Sequence, residues 1–324
     1  MDSPKTILKT VKAANRILIP LHLRPDGDMV GSALACYHFL KSLRKTVVLI
    51  SADPVDKTFS FLPGEKRIKI EDPAKLDLAK FDLIILLDNG DPFRYSKAGR
   101  VDLPPQLLLI NIDHHDSNRE FGDLNYVNEN AAAAAEILLD LFQAWKVNIT
   151  PDMANCLLTA IYTDTIGFMS KKTSAETLTK AAYLIKRGAN RGKIVENAFQ
   201  SWSPKTPRIW SVLLNNMKTR KSIAYSQISY KDLKKTGCTS EELSSARGFA
   251  ASELLLPINN IKAAAIFTEE NPKQIRVSMR SKDRFSVENV AKIMGGGGHA
   301  NSAAFNYAGN LKDAVSKTLK HLTK

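Results

Sequence analysis

The chain has 324 residues, 44% of them hydrophobic, with 46 Lys and Arg against 33 Asp and Glu and a formal charge of +13. That is apolar material for about two domains at ~100 to 200 residues each, and no apolar run approaches the ~18 residues of a membrane span. Residues 1–15 carry charges and lack a signal-peptide core, and the three cysteines Cys36, Cys156 and Cys238 have no paired or C-x-x-C spacing, which argues against secretion, disulfides and cysteine-held zinc and for a reducing, cytoplasmic compartment.

In chain order, residues 16–21 form a short apolar run whose end delivers His22. Residues 29–43 space Val30, Leu34, Tyr37, Leu40 and Leu43 as a helix does. Residues 46–50, 83–87 and 107–112 are near-continuous apolar runs, as expected of strands buried on both faces of a parallel sheet. Helices are expected over 131–145, 151–162, 175–187 and 193–199; the five alanines Ala131 to Ala135 open the first of them. Gly, Asn, Ser and two prolines interrupt the pattern over 188–208, where we place a hinge. Beyond it a smaller α+β pattern follows: strand 222–230, helix 240–255, strands 262–267 and 274–279, helix 287–293, the tetraglycine Gly295 to Gly298 with His299, strand 302–307 and a last helix to about Leu322. The expected domains are 1–190, a helical linker over 191–217, and 218–324.

Four acidic and histidine clusters sit where these apolar elements end, and in an open α/β sheet such ends surround one crevice. In His22-x-x-Pro25-Asp26-Gly27-Asp28 the proline and glycine bend the chain, so that Asp26 and Asp28 can address different metals; alone, Pro-Asp-Gly-Asp also reads as an ordinary turn. Asp88 ends an apolar run and starts Asp88-Asn89-Gly90-Asp91, again readable as strand and turn. The triplet Asp113-His114-His115 is sharper, because adjacent imidazoles past a buried strand suit one metal ligand and one phosphate contact. Asp164 ends a helix, where the macrodipole disfavours a carboxylate unless a cation lies beside it. Carboxylates with imidazoles suit Mn²⁺, Mg²⁺ or Zn²⁺, and the positive charge suits a polyanionic substrate, although a solvated lysine-rich surface has the same composition.

These motifs, His22-Leu-Arg-Pro-Asp26-Gly-Asp28-Met-Val-Gly31-Ser32, Asp88, Asp113-His114-His115, Thr163-Asp164-Thr165 and Gly295-Gly-Gly-Gly-His299, resemble in order those of the DHH/DHHA1 phosphoesterases, in particular the nanoRNase and 3′-phosphoadenosine-5′-phosphate (pAp) phosphatase branch. The resemblance implies an N-terminal parallel-sheet DHH domain, a smaller C-terminal α+β DHHA1 domain and an active site in the cleft between them. It implies two divalent cations, Mn²⁺ or else Mg²⁺: His22, Asp26 and Asp88 would hold one, and Asp28, Asp88, His114 and Asp164 the other. His115 would meet the scissile phosphate, with Asp113 orienting the histidines and Asp88 bridging the metals. Arg280, Ser281, Gly297, Gly298 and His299 would grip the substrate's other end, with Lys282 and Arg284 as weaker candidates; on sequence alone the glycines read equally as a flexible linker.

The implied activity is hydrolysis of short RNA or DNA oligonucleotides to mononucleotides, or of pAp to AMP and phosphate, with no membrane partner and a homodimer allowed. A linear dinucleotide (pApA) phosphodiesterase, a related hydrolase such as a pyrophosphatase, and a non-catalytic nucleotide-binding module are the alternatives. The sequence departs from the family pattern at Asn89, Ile166 and Phe305, where small residues or glycine are usual, and this bears on substrate preference, which the sequence leaves open together with cleavage polarity and the choice of RNA or DNA.

Overall fold

The computed structural model of the chain describes residues 1–282 and 285–323, and for His299 the backbone alone. Contacts divide it into two compact units, Met1–Ser201 and Trp202–Lys324. Among the described residues no helix is long and apolar enough to cross a membrane.

The first unit runs α1 (Pro4–Ala13), β1 (Arg16–Leu21), α2 (Gly27–Ser42), β2 (Thr46–Ser51), β3 (Ile68–Ile70), β4 (Leu83–Leu87), β5 (Leu108–Asp113), β6 (Leu124–Val127), α3 (Ala134–Ala144), α4 (Pro151–Asp164), α5 (Ala175–Lys186) and α6 (Arg191–Phe199). Its six strands are all parallel, in the order β3-β2-β1-β4-β5-β6. The apolar runs are buried on both faces, as their composition requires. Ile17, Ile19, Leu83, Ile85 and Ile110 join the main core with α2, α3 and α4, while Leu18, Ile84, Leu86 and Leu109 pack under Phe81, Tyr95 and Leu107. Strand order reverses between β1 and β4, and in such sheets the crevice beyond the carboxyl ends at the reversal is the natural ligand site.

Helix α3 begins at Ala134, three residues later than the alanine run suggests, and Ala133 at its N-cap has no side chain with which to accept a backbone N–H. The carboxylate of Asp28 supplies that cap from α2, accepting the N–H groups of Ala134 and Ala135. Two glycines let α2 lie against α4: a Cβ at Gly27 would collide with the Thr163 side chain, and one at Gly31 with the Cys156 carbonyl. The start of α2 is thereby held against the residues that carry Asp164.

The second unit runs α7 (Thr206–Asn215), β7 (Lys218–Arg220), β8 (Ile223–Ile228), α8 (Tyr230–Thr236), α9 (Ser240–Phe249), β9 (Ala263–Asn271), β10 (Gln274–Ser281), α10 (Glu288–Ile293), β11 (Gly297–His299), β12 (Ser302–Ala308) and α11 (Leu311–Leu322). Its sheet is mixed, ordered β11-β12-β10-β9-β8-β7, with β8 and β9 parallel and the other pairs antiparallel. One face packs on α10 and α11, the other on α7 and α9. The helix expected over 240–255 is α9 followed by a π-helical turn, Ala250–Leu255; the wider turn buries Ala246, Ala250, Ala251 and Leu255 together against the sheet. The tetraglycine is no flexible linker: its end forms the edge strand β11, and Phe305 packs so closely over Gly296 that a Cβ there would strike it.

Candidate active site

The eight predicted N-terminal site residues meet around the carboxyl ends of β1, β4 and β5 and the last turn of α4. β1 passes directly into His22, which is 1% exposed. Its Nδ1 lies 3.0 Å from the Leu23 carbonyl. A carbonyl only accepts, so Nδ1 carries the proton and Nε2 presents a lone pair. That lone pair faces Asp88 Oδ2 at 3.4 Å and Asp26 Oδ1 at 3.8 Å. Asp88 follows β4 with φ +50°, a left-handed conformation that aspartate tolerates better than most residues. On the other side of Asp88, His114 repeats the arrangement: Nδ1 is 3.3 Å from the Ala131 carbonyl, and Nε2 is 3.2 Å from Asp88 Oδ1, 3.6 Å from Asp164 Oδ2 and 3.8 Å from Asp28 Oδ2.

Two imidazole lone pairs thus point at four carboxylates, acceptor against acceptor, and only a proton or another cation can lie between them. His22 Nε2 and Asp88 Oδ1 are buried without a hydrogen-bond partner among the described residues. Burial opposes charge on His22, yet Asp26 and Asp88 outweigh it and push the imidazole up to about 10. Burial likewise opposes charge on His114, where Asp88, Asp28 and Asp164 push it up to about 10. Asp28 is raised well above the usual carboxylate range by burial and by Asp88 and Asp164, and Asp164 is pushed up to about 7, burial and Asp88 prevailing over His114. Burial also acts on Asp88, but its two histidines hold it well below that range. The positive charge that these shifts call for is the charge that a bound cation would supply.

The donor atoms gather into sets that can hold a divalent cation, within 4.8 Å of one another: His22, Asp26 and Asp88; Asp28, His114 and Asp164; and Asp88, His114 and His115. Asp88 belongs to two of these and is flanked by His22 and His114 at once. The buried orphan atoms and the mixed oxygen and nitrogen donors fit Mn²⁺ or Mg²⁺.

His115 Nδ1 lies 2.7 Å from Asp113 Oδ1, which fixes the ring. Sequence reasoning missed the residues that hold these groups still. Asn118 Nδ2 donates to Asp113 Oδ2 and to Asn111 Oδ1, each at 2.7 Å, and Asn111 Nδ2 donates to the Asn89 carbonyl at 3.0 Å. Ser32 donates to Asp28 Oδ1 at 3.0 Å. A buried asparagine in the middle of β5 was the available signal for the first pair, since a polar residue there demands a partner.

In the second unit Arg280 and Ser281 end β10, and Gly297, Gly298 and His299 form β11. Strand β12 brings the two groups together: Ser302 stands opposite Arg280 on one side and opposite His299 on the other. The Arg280 guanidinium donates to the Met279 carbonyl at 3.0 Å and has no carboxylate partner among the described residues. Burial and the nearby Arg247 lower its pKa from the ordinary value. Ser281 is buried, its hydroxyl 3.4 Å from the Ala300 carbonyl. Lys282 donates its backbone N–H to the Lys262 carbonyl, and Arg284 lies outside the described residues.

Fold and site together define a parallel-sheet α/β unit with a cluster of carboxylates and imidazoles placed to bind divalent cations at its switch point, followed by a mixed-sheet unit with a glycine-rich edge strand. The chain belongs to the DHH/DHHA1 family: residues 16–161 match the DHH family, N-terminal domain, and residues 220–324 match the DHHA1 domain. A Thermus thermophilus protein named bifunctional oligoribonuclease and PAP phosphatase NrnA is 29% identical over 315 residues, spanning 97% of this chain and 90% of the relative. A Streptococcus mutans protein named as probably the same enzyme is 28% identical over the whole of both chains. The solved structure of an exopolyphosphatase-related protein from Bacteroides fragilis superposes with a TM-score of 0.89 at 25% identity, covering 99% of this chain and 95% of that one.

Proposed function

We propose that this chain is a two-metal phosphoesterase that hydrolyses short oligonucleotides to mononucleotides and pAp to AMP and phosphate, acting in the cytoplasm. The observation that carries the proposal is Asp88 held between two outward-facing imidazole lone pairs, with Asp26, Asp28 and Asp164 around them. Relatives named as oligoribonuclease and PAP phosphatase, similar along nearly the full length, support the substrate class. Three unpaired cysteines fit a reducing compartment.

His22, Asp26 and Asp88 would hold one cation, and Asp28, Asp88, His114 and Asp164 the other, with Mn²⁺ as the physiological ion. Bound there, divalent cations would acidify a water and neutralise charge on the attacked phosphoryl group. The remaining steps belong to the chain's own side chains. His115, with Nδ1–H committed to Asp113, would donate Nε2–H to a non-bridging oxygen of the scissile phosphate when protonated. Burial opposes that charge, but Asp113 and Asp88 raise the His115 pKa above its ordinary value. Arg280, Ser281, the Gly297 and Gly298 backbone and His299 would bind the substrate's other phosphate or nucleotide, which is consistent with an arginine that lacks a carboxylate of its own.

A DHHA1 second domain disfavours a pyrophosphatase, and a complete ligand set disfavours a non-catalytic nucleotide-binding module; pApA remains a substrate of the same chemistry. Hydrolysis of pAp, pApA, 5-mer RNA and pyrophosphate is measured with Mn²⁺ and after chelation. The expected outcome is chelator-sensitive cleavage of the first three. Cleavage of pyrophosphate alone, or of none of them by folded, Mn²⁺-loaded protein, would overturn the proposal.

A further inference from the structure

Asp164 differs from Asp26 and Asp28 in what holds it. Asp26 accepts the Met29 N–H, and Asp28 accepts the Ser32 hydroxyl and two N–H groups of α3. Among the described residues no hydrogen bond reaches the Asp164 carboxylate, which faces His114 Nε2 at 3.6 Å. Its place is therefore set by the backbone around it, the last turn of α4 and the turn that follows.

That following turn is strained. Ile166, Gly167 and Phe168 are all left-handed, with φ +52°, +65° and +72°, which a β-branched and an aromatic residue adopt only where their surroundings impose it. Tyr162, 7% exposed and two residues before Asp164, is the surrounding that imposes it. The Gly167 N–H donates to the Tyr162 carbonyl at 2.7 Å, and Gly167 lies against the phenol ring, where a Cβ would stand 3.4 Å from it. The Phe168 ring meets the same ring edge-on, with centroids 5.0 Å apart. Thr165 closes the turn, its hydroxyl accepting the Phe168 N–H at 3.0 Å and its carbonyl the Ser170 N–H at 2.8 Å.

Tyr162 is in turn gripped by both ends of α6. Arg191 Nη2 donates to its hydroxyl at 3.1 Å, with the guanidinium carbon 5.5 Å from the ring centroid, and the Phe199 ring packs edge-on at 5.4 Å. A flat ring offers a face and edges to these partners at once, and an aliphatic side chain offers neither.

We propose that Tyr162 is a positioning residue for one cation: its ring is the post on which the strained turn closes, and it thereby sets Asp164 towards Asp28 and His114. This step rests on the two-metal reading. The set of Asp28, His114 and Asp164 then depends on the post, whereas the set of His22, Asp26 and Asp88 stands at the ends of β1 and β4 and does not.

Calorimetric titration of the metal-free full chain with Mn²⁺ resolves the two binding steps. Tyr162→Leu is expected to weaken one step by roughly 10- to 100-fold, as loss of a supporting residue does, and to leave the other unchanged. Tyr162→Phe keeps the ring and should hold both steps near wild type. Hydrolysis of pAp by Tyr162→Leu should return at saturating Mn²⁺ with KM for pAp unchanged. Phe168→Leu, at a half-buried position, should weaken the same step to a smaller degree, and it decides the matter should Tyr162→Leu not fold. Equal weakening of both steps, no weakening in the folded variants, or a loss in Tyr162→Phe as large as in Tyr162→Leu overturns the positioning role and leaves the two-metal reading intact. Wild type that binds fewer than two Mn²⁺ overturns the two-metal reading, and the post with it.

Discussion

Asp88 and Ile166 both adopt left-handed backbone conformations, with φ +50° and +52°, and the sequence makes the first cheap and the second costly. Aspartate visits this region readily; a β-branched isoleucine does not. Ile166 lies two residues beyond Asp164 in a stretch where Gly167 and Phe168 also have positive φ, strain of the kind that collects at functional sites. Ile166→Gly should relieve about 1 to 2 kcal/mol of strain and, after the loss of a half-buried side chain and the entropy of glycine, leave the protein up to about 1 kcal/mol more stable. Urea titration checks this, and a loss of stability would count against strain at this position. For Asp88 the expected outcome is different. Asp88→Asn keeps the turn but removes the charge shared by the two cation sets, so metal occupancy and hydrolysis should fall by more than the roughly 10- to 100-fold that loss of a supporting residue costs. Metal analysis beside circular dichroism decides it: near-normal activity in folded Asp88→Asn would refute the site assignment.

At the scale of elements, short polar ties fix the loops that leave the sheet. Asp72 accepts the Ser96 hydroxyl at 2.6 Å, the Lys97 N–H at 2.8 Å and the Ala74 N–H at 3.0 Å, pinning the middle of the long β4–β5 connection. Partial burial raises its pKa, but the Ser96 hydroxyl and the two N–H groups outweigh that and hold it below the usual carboxylate range. Because the folded-state value is depressed, the stabilisation is complete above the unfolded value and is lost as pH falls through the folded one. Asp72→Asn should destabilise the protein by about 1 kcal/mol at neutral pH, with the difference from wild type closing below about pH 4. Thermal unfolding of both proteins from pH 3 to 7 measures it, and a difference independent of pH would exclude the carboxylate charge as its source.

Across the whole chain the charge is unevenly placed. Residues 202–324 carry 20 Lys and Arg against 9 Asp and Glu, and residues 1–201 carry 26 against 24. The second unit therefore holds most of the +13 excess, as expected of a part that receives a polyanion while the first supplies the carboxylates. Substrate affinity should weaken with salt on a shallow slope, since pAp and short oligomers present few phosphates; a steep slope with tight binding to long RNA would point to a polymer-binding protein. Arg280→Ala and His299→Ala should spare metal binding and reduce hydrolysis of pAp and 2- to 5-mers far more than that of bis-p-nitrophenyl phosphate, a substrate too small to need the second unit. Equal losses on both substrate types would place these residues in the catalytic centre instead.

The strands of the first unit, the clusters at their ends and the DHH/DHHA1 resemblance were legible in the sequence, because a buried parallel strand needs an unbroken apolar run and a histidine or aspartate closing it stands out. Short or exposed pieces were not legible. The helices α1 and α8, the strands β3 and β6 and the edge strands β7 and β11 lack such a run and owe their form to the neighbours they pair with or pack on. The register that sets Arg280 and His299 on either side of Ser302, the Asp28 cap on α3 and the Asn118 tie to Asp113 all join residues distant in sequence. The sequence by itself determined which side chains stand at the strand ends as candidates for the chemistry, since composition and order are local properties. Only the tertiary structure decided how far apart they stand and which way their pKa values move, because distance and burial, which set both, arise when the chain closes on itself.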